Sequence, residues 1–237
     1  MLILGIDTST DNLGLALMED DQLKGEYNLS LKRKHSEKLL PLIEQIFSLL
    51  EIKPTDLEAA AVSIGPGSFT GLRIGITTAK ILGRIFQIPV KGISTLEIMA
   101  AGVESNYILS MLDARRQRIY YSFYKSNFEN NNYLPEKILG AASAQISEMP
   151  DLLNNFKKEE ITVIGEKTTE VSEVLKENKF IINKCASEKN IPRAAVLARL
   201  GRDYISLGQE DNIYELKPAY LKKPQAEIDW QQKYSNN

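Results

Sequence analysis

The chain has 237 residues, 43% of them hydrophobic and 25% charged, with a formal net charge of −2. That is enough for one large globular domain or two of about 100–120 residues each, and the near-neutral balance excludes a field drawing nucleic acid to the whole surface. One cysteine, Cys185, and one histidine, His35, exclude an intrachain disulfide and the usual zinc sets of imidazoles and thiolates.

The chain opens as a strand, Leu2–Asp7, a polar turn, Thr8–Asn12, a second strand, Leu13–Met18, and a third near Lys24–Leu31. Helical periodicity covers Ser36–Leu50, with Leu39, Leu40, Ile43, Ile46, Phe47 and Leu50 apolar; Leu42 and Leu49 widen that stripe. Pro41 must sit in a first turn or kink the helix near its start. The apolar run Glu58–Ile64 reads as a buried strand. It leads into Ser-Ile-Gly-Pro-Gly-Ser-Phe-Thr-Gly-Leu-Arg-Ile-Gly (63–75) and a second helix, Thr70–Phe86. A strand, Val90–Ile93, and a helix, Thr95–Val103, complete the first half.

The second half restarts in the same way. Tyr107–Leu112 is an apolar strand ending at Asp113, and a polar turn precedes a strand at Ile119–Tyr124. Asp113 takes the place of Asp7, and the repeat predicts a duplicated βββαβα unit. A strand near Leu134–Ala141, a helix near Ala144–Phe156, a strand at Ile161–Ile164 and a short helix near Thr168–Leu175 follow. A clearer helix spans Pro192–Leu207, with Pro192 suited to its first turn and Gly208 to its C-terminal cap. The predicted organisation is a first lobe over 1–105, a second over 106–217 and a polar, extended tail over 218–237. Helix 192–207 is a candidate to pack back on the first lobe.

Two features carry chemistry. A glycine turn between strand and helix leaves backbone N–H groups free at the helix N-terminus, where an anion fits, so 63–75 first reads as a phosphate cradle. The second loop, Asp113-Ala-Arg-Arg-Gln-Arg118, has no glycine, and bulky side chains stand where a phosphate-hugging backbone would be. Orthodox ATP clamping is therefore not expected. Gly71, Gly75, Ala79 and Gly83 recur every fourth residue and form a ridge of tiny side chains that lets another helix approach closely. That helix is either the chain's own 36–50 helix or part of another protein. The excess of apolar positions on 36–50 favours a partner.

The order of elements gives an α/β fold of two similar lobes with mixed sheets flanked by helices, and it resembles the actin-like ATPase (ribonuclease H-like) superfamily. Ile-Asp-Thr-Ser-Thr (6–10), His-Ser-Glu-Lys-Leu-Leu-Pro-Leu-Ile (35–43) and Gly-Pro-Gly-Ser-Phe-Thr-Gly-Leu-Arg-Ile-Gly (65–75) resemble the TsaB (YeaZ) family within it. Asp113-Ala-Arg, Ile119-Tyr120 and Pro218-Ala-Tyr-Leu resemble the same family further on. The similarity covers the first 125 residues well and the remainder thinly.

Resemblance to TsaB implies a part in making threonylcarbamoyladenosine beside the anticodon of tRNAs that read codons starting with A. In that system TsaD is the paralogue with the catalytic site, TsaE is a small ATPase, and a separate enzyme makes threonylcarbamoyl-adenylate. TsaB is implied to be the non-catalytic partner, dimerising with TsaD through its first two helices. The implied partner residues are Leu39, Ile43, Ile46, Phe47, Leu50, Gly71, Gly75, Ala79 and Gly83. Asp7, Thr8, Ser9, Gly65 and Gly67 are candidate remnants of a nucleotide site. TsaD-like proteins carry a metal-binding His-x-x-x-His pair where this chain has Thr95 and Met99, both poor ligands for such a metal. No catalytic residue, metal or cofactor is therefore expected.

TsaE is expected in a ternary complex, tRNA only through the complex, and a homodimer through the same helices when TsaD is absent. An active phosphotransferase using Asp7 and a direct tRNA binder using Arg115, Arg116 and Arg118 are the rival readings. No apolar run reaches the ~20 residues of a membrane span and the N-terminus lacks a basic leader, so a cytoplasmic protein is expected.

Overall fold

The computed structural model describes residues 1–32, 34–126 and 134–221. Three antiparallel strands, β1 (Leu2–Asp7), β2 (Asn12–Glu19) and β3 (Gln22–Ser30), lead into helix α1 (His35–Leu49). Strand β4 (Ala59–Gly65), helix α2 (Phe69–Phe86), strand β5 (Val90–Ser94) and helix α3 (Thr95–Ala101) follow. β4 runs parallel to β1 and β5 parallel to β4, giving a sheet of order β3-β2-β1-β4-β5.

The second half repeats this plan. Strands β6 (Tyr107–Asp113), β7 (Arg118–Lys125) and β8 (Glu136–Gln145) are antiparallel. Then come α4 (Met149–Leu152), β9 (Glu160–Gly165), α5 (Thr168–Glu177), β10 (Ile181–Lys184) and α6 (Ala194–Ser206). The second sheet has the order β10-β9-β6-β7-β8, the same arrangement as the first. The repeated unit is thus βββαβαβα, one strand and one helix longer than expected. The missing strand is β10, four mostly exposed residues at a sheet edge, too short and too polar to register as a strand pattern.

Strand alternation sorts the core. Leu2, Leu4 and Ile6 of β1 join Leu13, Leu15 and Leu17 of β2 beneath α1 and α2. Ile3, on the opposite face of β1, joins Ala59 and Ala61 beneath Leu197, Ala198 and Leu200 of α6. The last helix of the second repeat therefore lies on the first sheet. Conversely, Leu96, Met99 and Ala100 of α3 pack with Ile108, Leu112, Tyr124 and Ile164 of the second sheet. The two exchanged helices also bond to each other: Arg199 Nη2 donates to Ala101 O at 2.7 Å, and the Tyr204 hydroxyl donates to Glu97.

Several local expectations change. β8 continues to Gln145 because Ala144 and Gln145 pair with Ile119 and Arg118, so sheet pairing overrides the helical pattern over 144–156. Pro150 then lies in the first turn of only a short α4, followed by a 3₁₀ turn at Asn154–Phe156. Pro41 sits in the second turn of α1, inside the helix rather than in its first turn. Pro192 lies outside α6, whose N-cap is the extended Arg193; Gly208 follows the helix at φ +70°, as a C-terminal cap does. Glu26 of β3 accepts the Ala195 N–H at 3.0 Å and pairs with Arg193, tying the start of α6 to the first sheet.

After α6 the chain returns across the first lobe. The Asp211 N–H donates to Val90 O at 2.9 Å, Leu216 enters the core, and the Ala219 N–H donates to Ile64 O at 2.7 Å. Pro218–Tyr220 are therefore held in place, whereas most of the expected tail, 222–237, lies outside the described residues. Among the described residues no helix is long and apolar enough to cross a membrane.

α6 fits on the sheet only because Gly5 has no side chain: a Cβ there would stand 2.6 Å from Ala194 O. Gly5→Ala is expected to lower stability by about 1–3 kcal/mol, as overpacking does, measured by denaturant unfolding.

Candidate partner-binding face and closed cleft

β1 delivers Asp7 to the end of the first sheet, where it is fully buried. Its Oδ1 accepts the Ser9 N–H at 3.2 Å, while Oδ2 has no hydrogen bond. Burial pushes the Asp7 carboxyl up from its ordinary range, against the opposing pull of the Ser63 and Ser9 hydroxyls and of His35. His35 starts α1, with Nε2 3.3 Å from Asn12 O.

The glycine turn closes onto this loop. Ser68 caps α2 by accepting the Gly71 N–H at 3.2 Å, and its own N–H donates to Ser9 O at 2.6 Å. Thr8 Oγ1 donates to Gly71 O at 2.8 Å. A Cβ on Gly67 would collide with Ser9 O, one on Gly71 with Thr8 O, and one on Gly75 with Thr8 Oγ1. Gly65 sits at φ +107° before a cis peptide to Pro66. So Asp7, Thr8, Ser9, Gly65 and Gly67 do converge, but on one another. The glycines make room for the Thr8–Ser9 backbone, and the Ser68 and Gly71 N–H groups are bonded within the chain.

The same contacts turn the small-residue ridge inward. Gly71, Gly75, Ala79 and Gly83 all face the lobe, and a Cβ on Gly83 would lie 2.6 Å from Val90 Cγ2. Leu39, Ile43, Ile46 and Phe47 are buried in the chain's own core, with Leu50 half-buried against it. Eight of the nine residues implied as partner contacts are thus buried within the lobe itself, and Leu50 is partly exposed beside them. Spacing shows that one side of α2 is small, but not which way that side points.

The opposite edges of α1 and α2 are open. Leu40 is 58% exposed, Ile81 51% and Ile85 66%. A groove of about 440 Å³ runs between the two helices, bounded by Leu40, Phe69, Arg73 and Thr77. The signal for this face was in the sequence: Phe69, Arg73, Thr77, Ile81 and Ile85 follow their own four-residue spacing beside the ridge.

The arginine-rich loop is a left-handed turn, with Arg115, Arg116 and Gln117 at φ +65°, +53° and +58°. Asp113 Oδ1 accepts the Arg115 N–H at 2.7 Å, and the Asp113 N–H donates to Glu166 at 2.7 Å. Arg118 is engaged by Ser143, its Nη2 donating to the backbone O at 3.0 Å. Arg115 and Arg116 are exposed in this turn, whereas Arg118 is tied to β8. Thr95 and Met99 are buried in α3, and among the described residues no three His, Cys, Asp or Glu side chains are placed to hold a metal.

Comparisons with known proteins bear on this arrangement. YeaZ from Pseudomonas aeruginosa superposes with a TM-score of 0.78 at 22% identity, covering 93% of this chain and 99% of that one. The ROK hexokinase from Thermus thermophilus shares the fold at a TM-score of 0.51 and 10% identity, covering 87% and 100%. Two equivalent lobes, an aspartate ending the first strand and a glycine turn beside it define an actin-like α/β protein. A family model described as "TsaD: tRNA N6-adenosine threonylcarbamoyltransferase" matches residues 28–230. The tRNA threonylcarbamoyladenosine biosynthesis protein TsaB of Bacillus subtilis is 32% identical over 236 residues, covering 97% of this chain and 98% of that protein. The chain belongs to the family this model describes and, within it, to TsaB.

Two outcomes test the closed cleft. Gly71→Ala is expected to destabilise the fold by about 1–3 kcal/mol, because the collision is with backbone rather than a movable side chain. Calorimetry or chemical unfolding would measure this. Asp7 binds its proton more tightly folded than unfolded, so its contribution is greatest below the ordinary value of 3.8 and declines as pH rises through the raised folded value. Asp7→Asn should remove that decline, leaving a flatter stability–pH profile and no loss of stability at neutral pH.

Proposed function

We propose that this chain is the non-catalytic TsaB subunit of the tRNA threonylcarbamoyladenosine system, pairing with TsaD in the cytoplasm to support threonylcarbamoyl transfer to tRNA adenosine. The observation that carries this reading is the open face of α1 and α2: Leu40 lines the groove between the helices, and Ile81 and Ile85 stand exposed further along α2. Leaving such a face in water is unfavourable, and covering it stabilises a complex. TsaE joins the pair as a third component, tRNA is reached through the complex, and the same face supports a homodimer when TsaD is absent.

The non-catalytic assignment rests on chemistry. Thr95 and Met99 stand where TsaD-like proteins place two histidines, and neither suits a hard or borderline divalent metal. Asp7 lies sealed beneath the Thr8–Ser9 loop and the glycine turn. A phosphotransferase reading finds no support in that arrangement.

Gly75 is not a clean probe of pairing, since a larger residue there strikes Thr8 inside the lobe. Leu40→Asp and Ile81→Asp change only exposed positions. Each should weaken the affinity for TsaD by about tenfold or more, read by co-purification and titration calorimetry. Unfolding of the isolated variants should match the parent chain. Undiminished binding by both variants would remove the helices from the interface.

A further inference from the structure

At the mouth of the groove three side chains brought together from distant parts of the sequence make one unit. The Arg73 guanidinium carbon lies 3.9 Å from the ring centroid of Phe69. Arg73 Nε donates to the Tyr220 hydroxyl at 3.0 Å, and the Tyr220 ring stacks on Phe69 at 4.9 Å with 24° between planes. Tyr220 is delivered there by the returning C-terminal segment. That segment is fixed by the Asp211 carboxylate on the Gly92 N–H at 2.7 Å, Lys80 Nζ on Leu216 O at 3.0 Å and the Ala219 N–H on Ile64 O.

This leaves a cation oriented but not neutralised. Among the described residues no carboxylate pairs with Arg73, and its terminal nitrogens make no hydrogen bond. Glu37 and Glu44, the acidic residues of neighbouring α1, form no ion pair with it. The ring beneath and the phenol at Nε hold the guanidinium plane, so its remaining N–H fork is free at the groove's edge. A planar fork of that kind matches a carboxylate with two parallel hydrogen bonds, and holding it in advance reduces the entropy lost on pairing.

We infer that Arg73 is a specificity-determining residue of the partner face: it receives an aspartate or glutamate side chain of the TsaD-family partner, next to an apolar side chain that enters the groove beside Leu40. Phe69 and Tyr220 are positioning residues for that contact. The C-terminal segment thereby takes part in recognition, although it lies far from α1 and α2 in sequence. This rests on the reading that α1 and α2 face TsaD.

The test is the affinity of the full chain for its TsaD-family partner, measured by titration calorimetry across a salt series, with Leu40→Asp as reference. Arg73→Ala should weaken binding by about tenfold or more and flatten its salt dependence, whereas Arg73→Lys should weaken binding while keeping the salt dependence, because the lysine keeps the charge but loses the fork. Tyr220→Phe, which removes only the hydroxyl, should weaken binding a few-fold without changing the unfolding midpoint. If Leu40→Asp abolishes binding while the Arg73 variants bind as the parent does, the inference fails and the interface stands. Weaker binding of Arg73→Ala with an unaltered salt dependence assigns Arg73 a structural role and also overturns it. Parent-like binding by all variants, Leu40→Asp included, sinks the interface itself.

Discussion

The rest of the structure depends on the exchange of helices between the two repeats. α6 covers the first sheet and α3 reaches the second, so each sheet is buried on the face its own repeat leaves open. Such an exchange demands that helix and sheet backbones come close, and Gly5 and Gly201 supply the space, one from each side of the contact. Glu26 adds a polar lock at the helix start. Its burial works against the charge, yet Arg193, Asn28 and the Ala195 N–H hold the carboxyl below its ordinary range. The lobes are consequently not separable units: α6 ends the second repeat in sequence, and it and the segment to Tyr220 pack against the first in space.

The closed cleft follows from the same economy of space. In an actin-like architecture the loop after the first strand and the glycine turn after the fourth are the obvious places for phosphate. Here each occupies the other's room. Thr8 and Ser9 lie against Gly67, Gly71 and Gly75, the Ser9 carbonyl takes the Ser68 N–H that an anion would need, and the Thr8 hydroxyl ties the loop to the Gly71 carbonyl. Asp7, sealed behind them, behaves as a buried acid rather than as an exposed ligand. The glycines serve tight intramolecular packing.

With the small face of α2 spent inside the lobe, its other face defines what the protein offers outward. That face is apolar along Ile81 and Ile85, continues to Leu40 across the groove, and ends at Arg73, stacked on Phe69 and bonded to Tyr220. An apolar strip ending in an oriented cation combines affinity with a means of choosing the partner.

Much of this was legible in the chain itself. Short apolar runs located β1, β2, β4, β6, β7 and β9, because those strands are buried on both faces, and period-3.6 runs located α1, α2, α5 and α6, because each helix buries one side. The duplicated plan was visible in Asp7 and Asp113 ending equivalent strands. The sequence could not show that 144–145 belongs to β8, since pairing with Ile119 and Arg118 is non-local, nor reveal β10, whose burial is slight. It could not decide which side of α2 faces water, for a ridge of glycines suits an internal contact and an external one equally. Nor could it bring Tyr220 to Arg73. The amino-acid sequence determined the elements, the repeat and the family, because these depend on neighbours along the chain. The tertiary structure alone decided which loops fill each other's space and which side of α1 and α2 stays open, because both depend on which surfaces the folded backbone has already used.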